Sequence, residues 1–227
     1  MSTPDRSLPL RERKKQRVRR TLSDTALRLF LREGFQETTL ERLVDEAEVS
    51  MRTFFRYFPS KEHVALAAEG ELWEAFVADL CGREVHGTLL AVLRESMLDS
   101  IRDMGEDWER RFIATRGLAA RTSVLRDFSE LSSIRVQRQL VEVLEEKLGI
   151  DGREDVRLRL VGEFALSAWR CGAKNWVRGG RQYGKGRGGR AELIRRVAEA
   201  FDAIPASLTM TAPHREGDPE PDVITSA

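Results

Sequence analysis

The placement of proline limits this chain more than any other feature. All seven prolines stand at positions 4, 9, 59, 205, 213, 219 and 221, so nothing from Ser60 to Ile204 carries one. A proline inside a helix costs about 3 kcal/mol, whereas a strand-rich fold seldom runs so far without one in a turn. Apolar residues in this interval recur at three and four positions, and no Asn-Gly or Asp-Gly pair sits between alternating apolar runs. The expectation is an all-α chain. Its 227 residues suffice for one large domain or two small ones.

Charge divides the chain. Residues 10–62 hold 13 Lys or Arg against 9 Asp or Glu, a net +4, while the whole chain is only +1. Arg11, Arg13, Lys14, Lys15, Arg17, Arg19 and Arg20 cluster with only Glu12 opposing them. Such density suits a polyanionic partner. No apolar run approaches membrane-spanning length, and Met1 to Arg20 has no apolar core of a secretory signal, so a cytoplasmic location is expected. Cys81 and Cys171, the two cysteines, read as buried free thiols.

Val18, Leu22, Ala26, Leu29 and Phe30 form one apolar stripe of a first helix, which Gly34 ends while Phe35 folds back on Phe30. A second helix of about ten residues is expected from Thr38, with Glu41 completing a capping box. Glu48, Val49 and Ser50 form a turn, and a short third helix spans Met51 to Tyr57, anchored by Phe54 and Phe58. Pro59 stops it, and Ser60 is expected to cap a long helix starting at Lys61. Two short helices joined by three residues bury too little surface to stand alone, so they must pack on the first. The outward face of the third offers Met51, Arg52, Thr53, Arg56 and Tyr57: a guanidinium for guanine, hydroxyls, and an apolar group for a thymine methyl. Thr39, and Ser60 with Lys61, lie at helix N-termini, where free N–H groups attract phosphate. Together these suggest a helix-turn-helix; the alternative is an ordinary three-helix bundle whose polar face is merely wet.

The stretch GFQETTLERLVDEAEVSMRTFFRYFPSKE, Gly34 to Glu62, resembles the N-terminal helix-turn-helix of TetR-type transcriptional regulators. The resemblance covers about 50 residues including the first helix. It implies phosphate contacts from Thr39, Phe55, Tyr57 and Lys61, with Ser50, Met51, Arg52, Thr53 and Arg56 along the groove-facing helix. The family usually has Gly where this chain has Glu48 and Arg52, and Tyr where it has Phe55. Phe55 forfeits a hydroxyl; Arg52 adds a base-reading group.

The body, 61–208, reads as five or six helices with breaks at Gly82 to Gly87, at Gly105, around Gly117, at Gly149 to Gly152, and in the glycine cluster Gly179 to Gly189. Asp151 and Glu154 read as another capping pair. In Leu158 to Val177, Arg159, Glu163, Ser167, Arg170 and Lys174 share one narrow stripe, so most of that helix must be buried, which makes it a candidate for a subunit seam as well as a core. The last helix, through Leu193, Ile194, Val197, Phe201 and Ile204, is its expected companion. The resemblance likewise implies a four-helix dimer seam. Residues 1–9 are expected to form a disordered arm and 10–60 the DNA-binding domain. Residues 61–208 then make an effector-binding and dimerisation domain, and 209–227, in a tail poor in apolar residues from Pro205 on, are expected to be disordered.

Trp73, Phe76, Met97, Ile101, Met104, Trp108, Phe112, Phe128, Phe164, Trp169 and Trp176 are the candidate lining of a site for a small apolar or amphipathic effector, each also at home in an ordinary core. Catalytic patterns fail. Gly179 to Lys185 has the glycine spacing of a nucleotide-binding loop, but Gly186 replaces the required hydroxyl and a helix precedes it. His63, His86 and His214 make no metal spacing. Neither metal, cofactor nor catalytic residue is expected. The reading is a homodimeric repressor that binds a palindromic operator in double-stranded DNA and is released by its effector. A DNA-binding dimer without an effector, and a helical adaptor or enzyme whose head leaves DNA alone, stay open as alternatives.

Overall fold

The computed structural model describes residues 9–179 and 188–211. Helices follow one another there: α1 (Leu10–Glu33), α2 (Leu40–Glu46), α3 (Met51–Tyr57), α4 (Lys61–Ala65), α5 (Ala67–Gly82), α6 (Leu89–Arg102), α7 (Trp108–Arg121), α8 (Ser123–Leu148), α9 (Val156–Gly179), α10 (Gly189–Asp202) and α11 (Ile204–Ser207). No strand occurs among the described residues, and the fold is all-α. The arm before Pro9, the connector at 180–187 with its glycine spacing, and the tail from residue 212 lie outside them. No described helix is long and apolar enough to cross a membrane.

The apolar stripe of α1 is buried through Leu22, Ala26, Leu29 and Phe30. Gly34 ends the helix at φ +99°, and Phe35 meets Phe30 edge to face at 5.2 Å between ring centroids. Several boundaries differ from the sequence reading. Thr38 does not cap α2: its hydroxyl donates to the Gly34 carbonyl at 2.8 Å, and Thr39 accepts from the Arg42 N–H at 3.1 Å instead. The helix is therefore 7 residues long. Ser60 makes no cap, because its hydroxyl is taken by Glu62 (2.5 Å) and His63 (2.9 Å). The long helix expected from Lys61 is interrupted at Leu66, whose φ and ψ of −102° and 22° separate α4 from α5.

Gly117 breaks nothing and lies inside α7; the break comes at Thr122. Asp151 binds the Arg153 N–H at 2.8 Å in the preceding turn, while Asp155 serves the start of α9 by accepting from the Arg157 N–H at 3.0 Å. Pro205 lies in the first turn of α11 rather than in an irregular tail. Both cysteines are exposed, not buried.

Burial divides into two clusters. One joins α1, α2 and α3 to Val64, Ala65, Leu66 and Ala67, and is closed from the other side by Leu118, Ala119 and Leu125 of α7 and α8. The other fills the body between α5, α6, α7, α8, α9 and α10. Within it α9 approaches α10 so closely that a Cβ on Gly172 would stand 2.7 Å from the Val197 Cα and 2.8 Å from the Arg196 carbonyl oxygen.

Ion pairs sew the seam between the clusters. Arg19 of α1 forks onto Glu74 of α5 (2.6 and 2.5 Å), and Arg20 reaches both Asp24 and Asp107, the residue before α7. Arg111 forks onto Glu71 (2.7 and 2.6 Å). Glu69 is buried, and a buried carboxylate needs partners. It has them in Arg116 (2.7 Å), Ser129 (2.7 Å) and, more loosely, the Trp73 indole (3.4 Å). The seam is imperfect at one point: Arg111 Nε and Asp107 Oδ1, 3.9 Å apart, are buried without hydrogen bonds.

Candidate nucleic-acid interface

A short helix is presented to a partner only if its other face is held. Phe54 is fully buried and Phe58 nearly so, and their ring centroids lie 6.1 Å apart. Ser50 caps α3 by accepting from the Thr53 N–H at 3.1 Å and also hydrogen-bonds the Thr53 hydroxyl at 3.0 Å. With Phe54 fixed inward, the helical period turns Arg52, Phe55 and Arg56 outward, and all three are exposed.

The predicted residues thus occupy one surface with different degrees of freedom. Arg52 has no carboxylate within ion-pair distance among the described residues. Arg56 lies over the Tyr57 ring, its Cζ 5.0 Å from the centroid. Met51, Thr53 and Tyr57 are half-buried, Met51 and Tyr57 against the head's apolar cluster. Phe55 is 50% exposed, a large ring left in water at the rim of α3. Ser50 and Thr39 are exposed at the N-termini of α3 and α2.

Lys61, at the start of α4, is braced on aromatic faces. Its ammonium stands 4.4 Å from the Phe35 centroid and 5.8 Å from that of Phe30, and it reaches the Gln36 carbonyl at 3.5 Å. Partial burial pulls its pKa below the usual lysine value, with Glu62 and Glu37 opposing. It is a cation held in place and short of hydration, which favours contact with an oxyanion over water. His63, two residues on, packs edge to face on Phe128 at 4.7 Å, and burial lowers its pKa.

The turn before α3 holds a feature that the sequence signalled only as a missing glycine. Glu48 takes φ +52°, the one non-glycine residue with positive φ among those described. Sequence reasoning missed the ion-paired seam altogether, since it counted Arg19 and Arg20 with the outward-facing cations. Glu74 and Asp107 are too distant along the chain to signal otherwise.

The candidate effector residues separate. Trp73, Phe76, Met97, Ile101, Trp108, Phe112, Trp169 and Trp176 join the body cluster, with Met104 packed at its edge. Trp108 stacks on Phe112 at 4.9 Å, Trp169 meets Trp73 and Phe112 at 5.7 Å each, and the Trp108 indole donates to the Ala68 carbonyl at 2.7 Å. Phe164 is half-buried on α9, and the structure does not bring Phe128 to this group: it sits at the seam against the head. No group of three metal-ligating side chains forms among the described residues.

The chain is similar to known proteins. A family model described as bacterial regulatory proteins, tetR family, matches residues 22–68, which run from Leu22 of α1 to Ala68 just past the Leu66 break. The HTH-type transcriptional regulator TcmR of Streptomyces glaucescens is 31% identical over 173 residues, covering 74% of this chain and 76% of its own. Among solved structures, a tetR-family regulator from Mesorhizobium loti is 17% identical with a TM-score of 0.48, covering 86% of this chain and 98% of the other. A regulator from Aquifex aeolicus is 16% identical with a TM-score of 0.47, covering 82% and 99%.

Proposed function

This chain belongs to the tetR family of bacterial regulatory proteins, transcriptional regulators that bind DNA, and on that premise we propose that it is a homodimeric repressor released from a palindromic operator by a small apolar or amphipathic molecule. The observation that carries the reading is the outward face of α3, where Arg52 stands exposed and uncommitted while Phe54 and Phe58 lock the helix from behind. In the major groove Arg52 donates to a guanine edge. Thr39, Phe55, Tyr57 and Lys61 border the groove and place the backbone. A two-fold dimer sets two such helices about 34 to 36 Å apart, one turn of duplex.

The seam offers release a route. α5 and α7 supply much of the aromatic interior, and Glu74 of α5 and Asp107 at the entry to α7 hold Arg19 and Arg20, so a molecule that parts the rings shifts the groups that orient the head. Moving occupancy from 99:1 to 1:99 needs about 5.5 kcal/mol of differential binding. The tight mutual packing of Trp108, Phe112 and Trp169 favours a second reading, in which the body only dimerises and no effector exists. A thermal-shift screen with apolar compounds separates the two.

Selection of bound fragments from random DNA tests binding, palindromy and half-site spacing together. On the selected operator, Arg52→Ala costs about 1 to 3 kcal/mol at particular base pairs, whereas Lys61→Ala weakens all sequences alike and flattens the salt dependence by about one unit. Equal effects of the two variants on operator and random DNA would overturn the assignment of roles.

A further inference from the structure

We propose that the first two turns of α1 are a second DNA-contacting element, which grips the phosphates flanking each half-site beyond the reach of α3; the inference rests on the duplex-binding reading above. The seven cations between Arg11 and Arg20 divide into two sets. Arg19 and Arg20 are committed to Glu74, Asp24 and Asp107, and Lys15 lies 3.6 Å from Glu12. Arg11, Arg13, Lys14 and Arg17 have no carboxylate within ion-pair distance among the described residues. Arg11, Lys14 and Arg17 are exposed and recur every third residue, along one side of the helix.

No ion pair among the described residues uses the charges of Arg11, Lys14 and Arg17. The buried residues of α1 begin at Leu22, and cations crowded into the N-terminal turns oppose both one another and the positive end of the helix dipole. A polyanion reverses both penalties. Position selects the duplex. Val18 packs on the cluster that holds Met51 and Tyr57 of α3, and the Arg19 guanidinium lies 5.7 Å from the Phe58 centroid, so the preceding turns emerge beside the end of α3. From Val18 back to Arg11 the helix rises about 10 Å, which matches the axial rise of about three base pairs of duplex. Flexible cations at this spacing read backbone charge rather than base edges.

The test uses the full chain and the triple variant Arg11→Ala, Lys14→Ala, Arg17→Ala on the selected operator, either trimmed to its half-sites or flanked by about one helical turn of duplex on each side. Wild type is expected to bind the flanked operator more tightly than the trimmed one. The triple variant binds both alike, keeps the base preference, and lowers the slope of log affinity against log salt by about two to three units per protomer. Lys14→Glu, a single exposed change, shows the same trend, and far-UV helicity confirms the fold of both. A triple variant that matches wild type in affinity and slope on the flanked operator overturns the proposal while leaving the role of α3 intact. A wild-type chain that binds no duplex overturns the helix-turn-helix reading, and this proposal with it.

Discussion

At the scale of single residues, Glu48 shows how a departure from a motif becomes a measurable strain. It holds φ +52° in the turn between α2 and α3, where a side chain costs about 1 to 2 kcal/mol and glycine pays instead in unfolded-state entropy. Glu48→Gly is therefore expected to stabilise the protein by about 0.5 to 1 kcal/mol, read as a raised urea midpoint with unchanged slope. The same scale shows what sequence can carry. Phe54 inward with Arg52, Phe55 and Arg56 outward follows from the helical period alone. The choice of Thr39 over Thr38 as cap does not: both carry the needed hydroxyl, and only the fold shows that Thr38 is spent on the Gly34 carbonyl.

At the scale of elements, the seam and the α9–α10 contact make separate claims. Glu69 is buried with Arg116 and Ser129 on it, whereas the Glu74 side chain is 60% exposed where it meets Arg19. Chemical denaturation should show Glu69→Ala losing about 2 to 3 kcal/mol and Glu74→Ala less than about 1, because solvent screens the outer pair. Gly172→Ala adds one methyl group where α10 backbone already stands, and overpacking of that kind costs about 1 to 3 kcal/mol. A thermal midpoint equal to wild type would deny the close approach. Element type was legible throughout, since proline absence and periodicity both act locally. Boundaries were less so. Gly117 looked like a break, yet a lone glycine costs a helix only about 1 kcal/mol, and buried Leu118 and Ala119 offset it. The run through Leu66 looked continuous, yet the helix is interrupted there.

At the scale of the whole molecule, α9 leaves part of its surface uncovered. Val156 is 54% and Leu160 45% exposed, Phe164 one turn on is half-buried, and Cys171 further along is exposed. These sit beside the charged stripe legible in the sequence. A second copy of the chain is the proposed cover for this face. Leu160→Glu is expected to give a monomer by sedimentation while far-UV helicity holds, and to weaken operator binding by about two orders of magnitude as the two heads lose their coupling. A variant that stays dimeric would move the seam elsewhere. The interruption at Leu66 also bears on how force travels through the chain. Backbone hydrogen bonds still cross it, from the Leu66 N–H to the Glu62 carbonyl and from the Gly70 N–H to the Leu66 carbonyl at 3.0 Å each, so α4 and α5 stay coupled. Under the proposed release, the lateral ties of Arg19 to Glu74 and of Arg20 to Asp107 add a second route, so the amino-terminal unit is steered like a beam held at its middle as well as at its end.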